Sequence, residues 1–264
     1  HYSQILISNS KRQSKLGHYA PATIYFAGEW YWGLDRINHL ENRLNDLDLH
    51  VTKAEVIFAK HLTLPTLNSN ANLKNKNLTL YWSARSPYSY LALIKCIELS
   101  EKYHFELSVK PVLPMMMRNL PVPNAKKMYI FRDTKREANK SHINYGFVAD
   151  PLGIAVVRCY SLLDYARKND RYQEFLVSFS KAVNAEGVRA QSDKGLKFIV
   201  ERAGLEWQQA RLHLNNPSWR QETQNNLFEM TSRGLWGVPS LAFEQHIVWG
   251  QDRIPFMLNK MANS

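Results

Sequence analysis

The chain has 264 residues, of which 45% are hydrophobic and 22% charged, and these values exclude disorder over most of its length. No window approaches the run of about 18 apolar residues that a membrane-spanning helix requires. The two cysteines, Cys96 and Cys159, are too few for a disulfide-rich scaffold or a four-thiolate zinc site. The nine histidines show no metal-ligand spacing, so we expect no metal. The formal net charge of +11 leaves an anionic partner open.

The first predicted elements form a strand, turn, strand and helix. Residues 23–26 and 30–32 are strand-like, and an amphipathic helix is predicted over 35–60. The stretch 65–77 is rich in Asn, Ser and Lys, which is typical of a linker. We therefore predict a segment over 1–64 and a separate domain over 78–264.

The elements after the linker predict one arrangement of strands and helices. In order they are a strand over 78–82, a helix over 87–102, a strand over 105–112, a mostly helical region over about 115–233, strands over 240–243 and 247–249, and a helix over 252–261. A βαβ unit, a helical insertion and a closing ββα unit are the plan of the thioredoxin fold. The fold class is therefore α/β, thioredoxin-like, with an inserted all-helical domain.

The beginning and end of the chain carry an internal repeat. Residues 17–37 resemble residues 234–254, with Pro21 matched to Pro239. In this alignment the turns between the two strands differ in length by one residue. The matched pairs that follow are Trp32 with Trp249, Gly33 with Gly250, Asp35 with Asp252, Arg36 with Arg253, and Ile37 with Ile254. The segment 1–64 is therefore predicted to be the C-terminal ββα part of a second thioredoxin-like copy. In that copy we expect Asp35 and Arg36 to be scaffold.

The loop before the first helix of the βαβ unit carries Ser86 and Ser89, where thioredoxin-like proteins have the two cysteines of a CxxC motif. Without those thiols, this loop cannot cycle between a dithiol and a disulfide. Ser86 could instead donate a hydrogen bond to the sulfur of a ligand, and the helix dipole would add to that effect on the thiol pKa. Alternatively, Ser86 is only the N-cap of a helix that begins with proline.

Three motifs carry a family resemblance over residues 78–261. They are Ser86-Pro-Tyr-Ser-Tyr-Leu-Ala92, the spaced set Lys126, Tyr129, Asp133 and Arg136, and Gly237-Val-Pro-Ser240 followed by Trp249-Gly-Gln-Asp-Arg253. Together they resemble the 2-hydroxychromene-2-carboxylate isomerases and kappa-class glutathione transferases, a branch of the DsbA-like thioredoxin proteins.

The resemblance implies glutathione as the cofactor and assigns roles to single residues. Ser86 would face the glutathione sulfur, and the backbone of Val238, before a cis-Pro239, would pair with glutathione like an added strand. Three further residues would hold glutathione: Asn119, Gln251 and Asp252. A small substrate, aromatic or carboxylate-bearing, would meet Tyr88, Lys126 and Tyr129, with Lys126 near its carboxylate.

The leading hypothesis is therefore a glutathione-dependent isomerase or transferase. A second hypothesis is a redox-inactive scaffold that binds extended peptides beside the cis-proline. Disulfide oxidoreductase activity would require cysteines from an N-terminal half of the first copy. Nucleic-acid binding by the basic run within 126–140 is the weakest alternative, because Asp133 and Glu137 interrupt the run. We expect a cytoplasmic protein, with periplasmic export left open, and a homo-oligomer is compatible with the sequence.

Overall fold

The computed structural model describes residues 2–49, 67 and 71–264. The chain folds into two compact units, the first formed by His1–Leu64 with Val122–Arg136 and the second by Pro65–Pro121 with Glu137–Ser264. The stretch 122–136, predicted as part of the helical insertion, thus packs with the N-terminal segment. Of the predicted linker, residues 65, 66 and 68–70 lie outside the described residues.

The described elements of the first unit are a helix, a hairpin and a second helix, joined by part of a helix from later in the chain. They are α1 (Tyr2–Lys15), β1 (Thr23–Phe26), β2 (Glu29–Trp32), a 3₁₀ turn (Leu34–Arg36), α2 (Ile37–Asp46) and the portion of α4 (Asn124–Lys140) up to Arg136. Strands β1 and β2 are antiparallel. Tyr31 on β2 is buried, whereas Ile24 and Tyr25 on β1 are exposed.

Helix α2 is shorter than the sequence pattern predicts. It ends at Asp46 because Asp48 adopts a left-handed conformation, with φ 52°, and the N–H groups of Asp48 and Leu49 donate back to the carbonyls of Asn45 and Leu44. The prediction of helix over 47–49 is therefore wrong, and residues 50–60 lie outside the described residues.

The second unit has a four-stranded mixed sheet covered by helices. Its elements are β3 (Asn77–Trp82), α3 (Pro87–Tyr103), β4 (Glu106–Pro111), the 3₁₀ turn Met115–Arg118, the end of α4, α5 (Ile154–Ser161), α6 (Leu163–Lys168), α7 (Tyr172–Ala185), α8 (Asp193–Arg202), α9 (Trp207–Ala210), the 3₁₀ turn Arg211–His213, α10 (Trp219–Ser232), β5 (Ser240–Phe243), β6 (His246–Trp249), the 3₁₀ turn Gln251–Arg253 and α11 (Ile254–Ala262).

The sheet order is β4-β3-β5-β6, with β3 parallel to β4 and antiparallel to β5. The apolar side chains of β3 are fully buried at Leu78, Leu80 and Trp82, and all four residues of β5 are buried. A crossover helix between parallel strands, followed by an antiparallel hairpin, is the thioredoxin-like arrangement that the sequence predicts. The parallel strands bring their carboxyl ends, and the loops that follow them, to one edge of the sheet.

The repeated segments have the same local structure at a constant spacing. Ile254 stands 217 residues after Ile37, and the same spacing relates Ser240 to Thr23 and Gly234 to Gly17. Helices α1 and α10 each have 14 residues, and both are followed by a glycine with positive φ before the hairpin. The strand pairings also agree, since β1–β2 and β5–β6 have corresponding partners throughout.

This spacing corrects one detail of the sequence alignment. Ala22, not Pro21, occupies the place of Pro239: the N–H of Gly33 donates to the carbonyl of Ala22 at 2.9 Å, as that of Gly250 does to Pro239. No residue is inserted in the turn between the strands. That the N-terminal segment belongs to a second thioredoxin-like copy stays a prediction.

Candidate active site

Ser86 lies at the N-terminus of α3, at the edge of the sheet where β3 ends. Its backbone is extended, Pro87 is the first helical residue, and its Oγ accepts the N–H of Ser89 at 3.2 Å. This is N-cap geometry, which satisfies one of the unpaired N–H groups of the first helical turn. The hydroxyl therefore stands at the positive end of a 17-residue helix.

The loop before β5 brings the proline predicted for the site to Ser86. The peptide bond between Val238 and Pro239 is cis, as the sequence analysis predicts. The Ser86 hydroxyl can donate to the carbonyl oxygen of Val238 at 3.5 Å, the long limit for such a bond. The structure thus brings together three of the predicted site residues: Ser86, Val238 and Pro239.

The second position of the serine motif and both cysteines are buried. Ser89 has no exposed surface, and its Oγ accepts the N–H of Ser83 at 3.4 Å. Cys96 and Cys159 are fully buried, and burial raises the pKa of Cys96 to about 12 and that of Cys159 well above its usual value. Neither cysteine is therefore available as a thiolate near neutral pH.

Tyr160 holds the loop before Ser86 in place, a role that the sequence analysis missed. Its hydroxyl accepts the N–H of Ala84 at 3.2 Å and donates to the carbonyl oxygen of Val112 at 2.8 Å. Complete burial raises the pKa of Tyr160, so the hydroxyl stays protonated and keeps its donor. The loops that follow β3 and β4 are consequently fixed to one buried side chain.

Gln251 and Asp252 lie in the 3₁₀ turn that follows β6. The amide nitrogen of Gln251 donates to Glu137 Oε2 at 3.3 Å, and the Asp252 carboxylate is 3.8 Å from the guanidinium of Arg253. Gly250 has φ 110°, and a Cβ there would lie 2.4 Å from Asp252 Oδ1, so glycine is required. Their assignment to the glutamyl end of glutathione stays a prediction.

The remaining predicted residues lie in different surroundings. Asn119 is exposed and left-handed at the end of the 3₁₀ turn Met115–Arg118, and Tyr88 is half-buried in the first turn of α3. Lys126 and Tyr129 belong to the first unit, where the Tyr129 hydroxyl accepts the N–H of Trp32 at 3.2 Å. Burial raises the pKa of Tyr129. The substrate-pocket role of these residues stays a prediction.

Asp133 and Arg136, which belong to the same spaced set as Lys126 and Tyr129, have a structural role in the first unit. Asp133 is fully buried, and its two oxygens lie 3.0 and 2.9 Å from Nε of Arg36. Arg136 donates to Asp133 at 3.2 Å and to the carbonyl of Trp30 at 2.7 Å. Arg36 is therefore part of the scaffold, as predicted.

These features define a thioredoxin-fold site whose two cysteine positions carry serine. A family model for the DsbA-like thioredoxin domain matches residues 77–262, and the chain belongs to this family.

Comparison with individual proteins gives more specific similarities. The chain is 24% identical to a 2-hydroxychromene-2-carboxylate isomerase of Sphingobium xenophagum over 192 residues, which are 69% of this chain and 96% of that protein. A solved 2-hydroxychromene-2-carboxylate isomerase superimposes with a TM-score of 0.60 at 19% identity, over 71% of this chain and 94% of that one. The cytosolic disulfide reductase DsbM of Pseudomonas aeruginosa, solved with GSH, gives a TM-score of 0.50 at 14% identity, over 71% and 100%. At these identities, the solved structures show the shared fold.

Two structural features are absent from the described residues. No helix in them is long and apolar enough to cross a membrane. Over the same part of the chain, no group of three or more His, Cys, Asp or Glu side chains is arranged to hold a metal ion.

Proposed function

We propose that this protein is a glutathione-dependent isomerase or transferase of the 2-hydroxychromene-2-carboxylate isomerase type. The observation that carries the proposal is the position of the Ser86 hydroxyl, at the N-terminus of α3 and 3.5 Å from the carbonyl oxygen before the cis-proline. The isomerase of Sphingobium xenophagum, which resembles this chain over 96% of its own length, supports the same activity.

The residues present fit a thiol ligand at this position. The serine hydroxyl can donate one hydrogen bond, and the first turn of α3 adds the positive end of the helix dipole, so both favour a thiolate over a thiol. A charge-assisted hydrogen bond of this kind contributes roughly 1.5–3 kcal/mol, or about one to two pKa units. When bound, glutathione supplies the nucleophilic sulfur for addition to an electrophilic double bond.

The protein's own residues would bind and orient that ligand. The backbone of Val238 precedes a cis-proline, and its N–H and C=O would pair with an extended peptide-like molecule. Asp252 offers a carboxylate to the cationic amino group of the γ-glutamyl end, with Gln251 and Asn119 as further polar contacts. The electrophile would be a small aromatic or carboxylate-bearing molecule in contact with Tyr88.

The proposal is tested by calorimetric titration with glutathione and with S-methylglutathione, which lacks the thiol. We expect the wild-type protein to bind glutathione, and we expect Ser86→Ala to raise the pKa of the bound thiol by about one to two units. That pKa is measured from the ultraviolet absorbance of the thiolate as a function of pH. Activity is then measured by screening aromatic carboxylates that contain a conjugated double bond.

A second helix-capping serine gives a matched control. Ser192 caps α8 and accepts the N–H of Gly195 at 3.1 Å, as Ser86 does for α3. Ser192→Ala should cost about 1 kcal/mol of stability and leave the thiol pKa unchanged. Absence of glutathione binding by the wild-type protein would refute the proposal, and binding of extended peptides alone would favour the scaffold hypothesis.

A further inference from the structure

Arg118 is a half-buried cation whose side chain has no hydrogen-bonding or acidic partner in the described structure. It is the last residue of the 3₁₀ turn Met115–Arg118, and its Nε is shielded from solvent without an acceptor among the described residues. Burial lowers the pKa of the guanidinium, because the charged form loses hydration. A cation held this way is destabilised unless an anion approaches it.

The other arginines show how unusual this is. In the described part of the chain, every other arginine that is not exposed has an acidic partner within 4 Å. These pairs are Arg36 with Asp133, Arg43 with Glu29, Arg85 with Asp150, Arg136 with Asp133, Arg158 with Asp193, Arg167 with Glu222, and Arg253 with Asp252. Arg118 alone in that set has a shielded guanidinium nitrogen and no carboxylate.

The topology places Arg118 at the edge of the sheet that carries Ser86. The loop with Ser86 follows β3, and the 3₁₀ turn with Arg118 follows the neighbouring parallel strand β4. The two chain segments remain joined beyond the strands, since the N–H of Val112 donates to the carbonyl of Trp82 at 2.8 Å and Tyr160 links Ala84 to Val112. Ligands of open α/β sheets bind beyond the carboxyl ends of parallel strands.

We propose that Arg118 binds a carboxylate of the ligand that occupies this edge of the sheet. The inference rests on the proposed function, because glutathione and a carboxylate-bearing substrate both supply such a group. The planar guanidinium can donate two parallel N–H bonds to the two oxygens of a carboxylate. The 3₁₀ turn fixes its base, with the N–H of Met117 bonded to Pro114 at 2.9 Å and that of Leu120 to Met115 at 3.0 Å.

The test compares ligands with and without the carboxylate. The probes are glutathione, glutathione amidated at its glycine carboxylate, cinnamate and methyl cinnamate, each titrated into wild-type protein, Arg118→Ala and Arg118→Lys. We expect Arg118→Ala to weaken binding of the carboxylate-bearing probe by about 10- to 100-fold and to leave the affinity for its amide or ester unchanged. Arg118→Lys keeps the charge but loses the paired donors, so its effect should be intermediate. Arg189→Ala, at an exposed arginine, is the matched control.

A direct readout separates this inference from the proposed function. The Nε–H resonance of Arg118, assigned by its loss in Arg118→Lys, should move when the carboxylate binds. If the resonance and the affinity change with glutathione alone, the glycine carboxylate of glutathione is the partner of Arg118. If they change with cinnamate alone, the partner is the substrate carboxylate. If wild-type protein binds glutathione but no probe moves the resonance and Arg118→Ala changes no affinity, the role of Arg118 is refuted and the function stands. If glutathione does not bind, the proposed function fails. The titration with cinnamate then tests Arg118 separately. A shift of the Nε–H resonance supports carboxylate binding by Arg118, and an unchanged resonance refutes it.

Discussion

Replacing Asp133 by alanine should destabilise the first unit more than replacing its partner Arg36. Asp133 is fully buried and receives hydrogen bonds from Arg36 and Arg136, whereas the Arg36 side chain is 10% exposed. Asp133→Ala removes the carboxylate from both guanidinium groups and should cost about 3–5 kcal/mol, the usual loss for breaking a buried ion pair from one side. Arg36→Ala leaves Asp133 paired with Arg136, so its cost should be smaller, about 1–3 kcal/mol.

The measurement is the free energy of unfolding in denaturant, with hydrogen exchange of the β1 and β2 amides to locate the loss. Glu174→Ala is the control, because Arg171 and Glu174 form an exposed pair at 3.0 Å that should contribute less than about 1 kcal/mol. A second readout is Tyr19, whose pKa is raised to about 12 by burial and, to a smaller extent, by the charge of Asp133. Asp133→Ala should lower that pKa. Equal losses for the Asp133 and Arg36 variants, or losses below about 1 kcal/mol for both, would refute the reasoning.

Three further outcomes follow from the second unit. Gly237→Ala places a Cβ 2.9 Å from Nε1 of Trp249. We therefore expect the free energy of unfolding in denaturant to fall by about 1–3 kcal/mol and the tryptophan fluorescence to change. Unchanged stability and fluorescence would contradict the close contact. Cys96 and Cys159 should not react with a thiol reagent in the native protein at pH 8 and should react in denaturant, because burial raises both pKa values. Burial alone would raise the pKa of Glu229, but hydrogen bonds from Lys110 and Tyr81 outweigh it and hold the pKa below the usual value. Its contribution to stability is therefore complete above the unfolded-state carboxyl pKa and is lost as pH falls through the lower folded-state pKa, so Glu229→Gln should flatten the acid limb of the stability curve.

The parts of the site that were predictable from the sequence are those fixed by local chemistry. A serine followed by proline before an apolar run specifies an N-cap and a first helical residue, and α3 begins as predicted. The strands were predicted to within about one residue, because short apolar runs bounded by polar residues specify them. The proline motif before β5 was sufficient to predict the cis peptide bond through its resemblance to a family.

Interactions between distant segments could not be predicted, because no local sequence pattern indicates them. Arg36 and Asp133 are 97 residues apart, and nothing in either segment alone indicates that they pair. Tyr160 lies in a helix whose apolar pattern predicts burial, but its bonds to two separate loops depend on the assembled sheet. The missing partner of Arg118 is likewise visible only once the partners of the other arginines are known.

Ala22 explains why the N-terminal repeated segment, 17–37, has the same hairpin as 234–254 but no cis-proline. Its backbone has φ 55°, and the proline ring restricts φ to about −65°, so a proline could not replace Ala22 without a change in the backbone. Pro21 stands one residue too early and forms no cis bond, since Val238–Pro239 is the only cis peptide bond in the described structure. The hydrogen bond that closes the hairpin survives, because any residue at that place supplies a carbonyl oxygen for Gly33. Sequence similarity in the Trp-Gly-x-Asp-Arg motif therefore reports the shared hairpin and helix start, whereas the chemistry proposed here depends on the proline and on the serine loop.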